Sequence, residues 1–282
     1  IMRQSLRKEH NIWAAYRVDR PRWMPPEALG KLPERAEIAY FPGCTASYVE
    51  NDIAQATACL LNRAGVEFTY LGEDEACCGI PMLVSGLWDT WEKIMRHNIH
   101  AMKARGVKTV VTSCADCYHA FKRLYPPVGS QVEVLHMVEF IDRLIEQGKL
   151  HFRSGIPLTV TYHDPCHLGR QGEPYVPWNG VEKKIKGQII VYEPNKPRYN
   201  GAWGVYDPPR NILRSIPGVK LVEMERIREY SWCCGAGGGV REAYPEFSAW
   251  TAAERIAEAK ATGAEALVSA CPWCERNFMD SI

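Results

Sequence analysis

Ten of the chain's eleven cysteines fall into two sets that share one pattern. The first set is Cys44, then Cys77-Cys78-Gly79, then Cys114-x-x-Cys117. The second is Cys166, then Cys233-Cys234-Gly235, then Cys271-x-x-Cys274. Between the adjacent pair and the CxxC lie 35 residues in the first set and 36 in the second, and a gap repeated this closely signals internal duplication. One spacing disagrees: 32 residues separate Cys44 from Cys77, but 66 separate Cys166 from Cys233. The excess is residues 171–203, rich in Pro, Gly and aromatics. Removing those 33 residues brings the halves to within one residue of each other, so 171–203 reads as an insertion in the second repeat.

At 282 residues the chain suits one large domain or two small ones. Its 34 basic and 33 acidic residues leave a net charge of +1, which offers no basic excess for nucleic acid. No run approaches the length of a membrane-spanning helix, and IMRQSLRKEHNIW lacks a signal-peptide apolar core. Residues 1–35 read as a helix followed by an extended, proline-marked linker. Residues 36–150 then form a first module and 151–282 a second that carries the insertion. AEIAYFPGC, VEFTYLG, KTVVTSC, LTVTYHDPC, VKLVEM and EALVSAC read as strands. Between them, NDIAQATACLLNRAG (capped by Asn51 or Asp52), WDTWEKIMRHNIHAMKARG, DPPRNILRSIPG and PEFSAWTAAERIAEAKATG read as helices. The alternation predicts an α/β fold of two duplicated modules with largely parallel strands, the cysteines lying at strand C-termini and helix N-termini.

Thiolates at helix N-termini are stabilised by the helix dipole and are poised as metal ligands. A zinc ion closes its tetrahedron with four ligands, whereas each set supplies five. Adjacent cysteines also point in different directions, which suits two metals in one assembly better than one ion. The pattern therefore favours a polynuclear iron–sulfur centre. Structural zinc, disulfides and a phosphate loop at GAGGGV are the alternatives. Gly79, Gly235, Gly237 and Gly238 let backbone approach closely and offer N–H groups to cluster sulfides. His163, His167 and His119 lie beside cysteines and are candidates to protonate a departing thiolate or to fix their loops. Asp164 orders the turn before Pro165, His136 is structural, and Cys59 is an inert core residue. Arg170 and Arg241 are candidates to hold an anionic substrate, with a solvated surface as the alternative. The aromatic insertion is a candidate partner-docking surface or a simple hairpin excursion.

With FPGC, EACCG and TSCADC, and then YHDPCHLGR, SWCCGAGGG and SACPWC, the chain resembles the cysteine-rich domain of the B-type and D-type subunits of heterodisulfide reductase over residues 36–282. The insertion and the run from GVYDPPR to SWCCGAGGG look most like the DsrK branch, from the DsrMKJOP sulfite-reduction complex. This resemblance implies two [4Fe-4S] clusters, noncubane in type, at whose irons a disulfide is split. Cys44, Cys77, Cys78, Cys114 and Cys117 would hold one; Cys166, Cys233, Cys234, Cys271 and Cys274 would hold the other. It further implies a ferredoxin-like domain or subunit, cut off before Ile1 or carried elsewhere, since no C-x2-C-x2-C-x3-C-P run is present. A membrane-bound, cytochrome b-like or other quinone-linked subunit and a DsrC-like small sulfur carrier are the implied partners, with the protein cytoplasmic and peripheral at the inner face of the membrane. Related modules in glycerol-3-phosphate and lactate oxidising systems make an electron-relay subunit the alternative; a zinc-stabilised interaction module is a third reading.

Overall fold

The computed structural model describes residues 2–174 and 176–282. In the first repeat the strands are β1 (Ile38–Phe41), β2 (Thr69–Tyr70), β3 (Thr109–Thr112) and β4 (Glu133–His136), all parallel in the order β2-β1-β3-β4. The second half supplies β5 (Leu158–His163), an antiparallel hairpin of β6 (Val181–Ile185) and β7 (Ile189–Glu193), then β8 (Val219–Leu221) and β9 (Ala266–Ser269). Strands β8-β5-β9 are parallel and reproduce the order β2-β1-β3, with the first strand of the repeat at the centre. The expected duplicated α/β architecture is therefore present, and β4 is an addition to the first sheet.

The intervening helices bury faces at helical spacing. Asn51–Arg63 turns Ala54, Thr57, Ala58 and Leu61 inward and ends before Gly65, which takes a positive φ of 67°. Two expectations fail on this helix. Its cap is Glu50, because Asn51 donates backward to the carbonyls of Ala46 and Ser47 at 3.0 and 2.8 Å. Cys59 is exposed, since it falls one step past Ala58 and off the buried face. Among the described residues, no helix is long and apolar enough to cross a membrane.

The N-terminal residues form the expected helix, Met2–Glu9, but the residues after it are not an extended linker. Arg17–Trp23 is a 3₁₀ helix, and Leu6, Asn11, Arg20, Trp23 and Met24 are buried. Aromatic and polar anchors explain the packing. Trp23 meets the rings of Tyr40 and Tyr70 edge-on and donates from Nε1 to the Tyr70 hydroxyl at 3.2 Å. Arg20 pairs with Glu75 at 2.5 Å, both side chains fully buried, and the Cys77 N–H donates to the His10 carbonyl at 2.7 Å. Trp13 stacks on Trp273 of the second repeat. The segment is thus a strap across both repeats, and its tethering to Cys77 places it at the cysteines. Replacing Trp23 by Ala should cost about 3–5 kcal/mol in chemical denaturation, the usual loss for a buried large aromatic; a loss within experimental error would mean the strap is not part of the cooperative core.

Candidate metal centre

The two repeats build their CxxC cysteines in the same local way, but the first cysteine differs, since Cys166 lies in a turn after β5 and not at a helix start. Cys44 opens the helix Gly43–Tyr48 just after β1; Cys114 caps the helix Ala115–His119 after β3; Cys271 caps Pro272–Met279 after β9. β1 itself stops at Phe41, short of Cys44, because Pro42 and Gly43 already turn the chain. The adjacent pairs sit in matching turns. Gly79, at φ 91°, aims its N–H at Cys77 Sγ (3.5 Å), and Gly235, at φ 88°, aims its N–H at Cys233 Sγ (3.3 Å). A left-handed residue directly after a cysteine pair favours glycine.

These turns send neighbouring thiols to different partners. Cys77 lies against Cys44 and Cys78, and Cys78 against Cys117, which in turn meets Cys114. In the second repeat Cys233 lies against Cys166 and Cys234, Cys234 against Cys274, and Cys274 against Cys271. The same chain of contacts is drawn twice. The two chains then join, because Cys114 and Cys271 touch. The structure thus brings all ten predicted cysteines together as two nests of five meeting at one point. All eleven cysteines are free thiols.

Electrostatics make such a nest a poor resting place for bare sulfur. Hydrogen bonds from Cys117 and Cys77 pull Cys78 down to about 6, and those from Cys114 and Cys274 pull Cys271 well below the ordinary thiol value. Cys233 falls likewise, through Cys166 first. Their neighbours are pushed up: Cys44 by the hydrogen bond it gives Cys77, Cys117 by those to Cys114 and Cys78, Cys274 by those to Cys234 and Cys271. A few thiolates are held by protonated neighbours, and five buried thiolates in one nest require metal cations.

The nests differ in access and surroundings. In the first, every cysteine is buried; in the second, Cys166 and Cys233 are half-exposed. His163 stands where the first repeat has Phe41, and one of its ring nitrogens lies within 4.8 Å of both Cys234 and Cys274 sulfurs. Arg255 donates from Nε to His163 Nδ1 at 3.1 Å, so the proton of the neutral ring sits on Nε2. Burial and the Arg255 charge push His163 down to about 3, which keeps it neutral. His119 stacks on His167 at 4.8 Å and is pushed down to about 4 by burial and the His167 charge. Burial would lower His167 too, but the Asp116 carboxylate, 2.6 Å from Nδ1, outweighs it and raises the pKa. This His167–Asp116 pair links the residue after Cys166 to the residue before Cys117.

Other candidates are committed elsewhere. Arg170 donates to the Glu229 and Ser231 carbonyls, and Arg241 pairs with Asp280 and Glu242, so both are tied down within the fold rather than left for an anion. Asp164 orders its turn as expected: Arg210 grips both its oxygens (2.7 and 2.9 Å), and the Arg228 N–H donates to Oδ2. His136 caps the helix Met137–Glu146. Gly237 and Gly238 have no atom within 4 Å of where a Cβ would stand; they line a pocket instead. That pocket, about 430 Å³, opens between the repeats. Ile80 and Pro81 reach it from beyond the first cysteine pair, Ala236 to Gly239 from beyond the second, and Asp116 and Trp273 from inside the two CxxC turns.

Three supports escaped the sequence reading. Gly43, at φ 77°, has Cys117 Sγ only 2.8 Å from where its Cβ would be. Tyr125 donates its hydroxyl to the Cys78 carbonyl at 3.1 Å, and Asn277 donates from Nδ2 to the corresponding Cys234 carbonyl at 2.6 Å. The FPGC glycine was visible as a signal; Tyr125 and Asn277, at different offsets from their CxxC motifs, were not.

A family model described as "Cysteine-rich domain" (CCG) matches residues 38–122 and again 195–279. The second match starts after the hairpin and so omits β5 and Cys166. The chain is 40% identical over 277 residues to the D-type subunit of dihydromethanophenazine:CoB–CoM heterodisulfide reductase from Methanosarcina acetivorans, covering 96% of this chain and 60% of that protein. It is 32% identical over 281 residues to the probable iron–sulfur-binding oxidoreductase FadF of Bacillus subtilis, covering 96% of this chain and 36% of that protein. Identity to the B-type subunit of fumarate reductase (CoM/CoB) from Methanothermobacter marburgensis is 31% over 256 residues, or 91% and 44% of the two chains. The chain therefore spans no more than 60% of the length of these relatives.

Gly43 offers a test of the nest with an internal control. Gly43→Ala meets Cys117 Sγ, whereas Gly65→Ala takes similar backbone strain with open space around it. Gly65→Ala should lose about 1 kcal/mol of stability from backbone strain alone and Gly43→Ala more, and only Gly43→Ala should lower metal bound per chain after anaerobic reconstitution. Equal metal content in the two variants would mean that Cys117 does not need its present position.

Proposed function

The chain belongs to the cysteine-rich domain family, and on that premise we propose that it is the bond-cleaving part of an iron–sulfur oxidoreductase that reduces a disulfide or trisulfide. The observation that carries the reading is the pair of five-thiol nests in contact at Cys114 and Cys271. The donor set fits the proposed group. Five thiols per nest exceed the needs of one tetrahedral ion, the glycine N–H groups already point at sulfur, and a Cβ at Gly43 would fill the space beside Cys117. Cys44, Cys77, Cys78, Cys114 and Cys117 would hold one [4Fe-4S] cluster, noncubane in type, and Cys166, Cys233, Cys234, Cys271 and Cys274 the other. When bound, such clusters supply electrons one at a time and iron sites open to sulfur, which spares the reaction a free thiyl radical.

The protein's own residues set the remaining terms. The pocket beside Asp116 and Trp273, walled by Trp13, Ile80, Pro81 and Val84, has no cysteine in its described lining but adjoins both CxxC turns, and it is the proposed place for substrate to approach. Its described lining carries acidic Asp116 and Glu242 and no basic side chain. That lining disfavours a small multi-anionic disulfide and supports a bond carried on a protein segment, such as the trisulfide of a DsrC-like sulfur carrier. His167, held by Asp116, is the proton donor to the released thiolate. His119 stacks on it and His163 fixes the second nest through Arg255, both as neutral rings. Electrons would come from a ferredoxin-like domain or subunit, fed by a quinone-linked membrane subunit. A relay role without cleavage is the second reading, favoured by the 30% identity over 244 residues to EtfAB:quinone oxidoreductase of Syntrophomonas wolfei.

Anaerobically reconstituted protein, given an artificial one-electron donor, should release thiol from a protein-borne trisulfide faster than from a small anionic disulfide. His167→Gln should keep its iron and lose turnover by about 100-fold. Reduction of the clusters with no thiol release from any substrate would decide for the relay, and colourless protein containing zinc would overturn both readings.

A further inference from the structure

The hairpin inside the second repeat has no part in the nests or in the pocket between them. From its surface chemistry we infer that its tip docks on an anionic lipid bilayer. Strands β6 and β7 pair from Val181↔Glu193 to Ile185↔Ile189, and every residue from 181 to 190 is exposed. The turn closes with the Gln188 N–H donating to the Ile185 carbonyl, Lys186 and Gly187 both taking positive φ. At the base, Trp178 packs edge-on against Tyr192 and donates to the Pro194 carbonyl, with the Lys196 ammonium over both rings. The anchored base and five-residue strands hold the tip about 17 Å away.

Three isoleucines gather at that tip. Ile185 and Ile189 lie on one face of the ribbon and Ile190 on the other, each about half exposed. A flat protein surface would cover one face and leave the isoleucine of the other in water. The boundary between headgroups and acyl chains surrounds both faces and takes all three. Lysines lie among them. Lys183 is paired with Glu193, while Lys184 and Lys186 have no ion pair among the described residues. Exposed ammonium groups beside apolar side chains complement acidic headgroups, each worth about fivefold in binding near an anionic surface. This inference does not depend on the cluster assignment, and its failure would leave that assignment intact.

Sedimentation with protein-free vesicles tests it. The protein should bind vesicles containing phosphatidylglycerol more tightly than vesicles of phosphatidylcholine alone, and salt should reduce the difference. Lys184→Gln with Lys186→Gln should weaken binding to anionic vesicles by about 25-fold and leave the weak phosphatidylcholine binding unchanged. Ile185→Ser with Ile189→Ser and Ile190→Ser should weaken binding to both lipids. Circular dichroism and bound iron should be unchanged in both variants. A wild-type protein that ignores both vesicle types, or variants that bind like wild type, would overturn the inference. So would hairpin-dependent retention on native membranes but not on protein-free vesicles of their lipids, which would assign the tip to a protein partner.

Discussion

Ten sulfurs packed into contact impose the constraint on which this structure depends. Buried thiols can share protons along a chain, as Cys78 and Cys271 do by ionising between protonated neighbours, but they cannot all ionise without cations. The fold is arranged to bring them to this condition. Parallel sheets deliver the cysteines to strand ends, left-handed glycines turn the pairs, and side-chain donors downstream of each CxxC (Tyr125 just past its helix, Asn277 within its helix) hold the peptide carbonyls of Cys78 and Cys234. A core organised this way would obtain part of its cohesion from a metal group held by the thiols, and the N-terminal strap adds cohesion of its own. The strap seals the first nest from outside through Arg20, Glu75 and His10.

Duplication has not produced two equivalent sites. Phe41 beside the first nest packs against Phe121, whereas His163, in the corresponding place, reaches toward Cys234 and Cys274 while anchored by Arg255. One nest is closed, and the other opens at Cys166 and Cys233. Two sites alike in ligands but different in dielectric and hydrogen bonding would have different reduction potentials. The proposed reaction needs this, since electrons must move in one direction before they reach the bond to be broken. The contact at Cys114 and Cys271 keeps that path short.

The sequence reading succeeded where one local rule acted alone and failed where a neighbour could override it. Helical spacing located Trp88–Ala104 and Pro245–Ala261, and glycine ended Asn51–Arg63 as expected. Cys59 was misread because a one-residue rotation separates the buried from the exposed face. The N-terminal segment was misread because proline-rich composition says nothing about Trp23 and Arg20 finding partners some fifty residues away. Arg170 and Arg241 were reasonable anion ligands until carbonyls and carboxylates from other elements were seen to take them. The insertion did prove to contain a hairpin, although nothing in its composition told which side chains gather at its tip.

By itself the sequence determined the two cysteine quintets, the duplication and the alternation of strands with helices. These rest on covalent spacing and on backbone preferences that act within a few residues. Tertiary structure alone decided that the two quintets meet at Cys114 and Cys271, that one is closed and the other open, that Asp116 of one repeat holds His167 of the other, and that the described lining of the pocket between them lacks a cation. Each of these is a contact between residues far apart in the chain. Such contacts arise from how the modules pack against each other, which no local periodicity encodes.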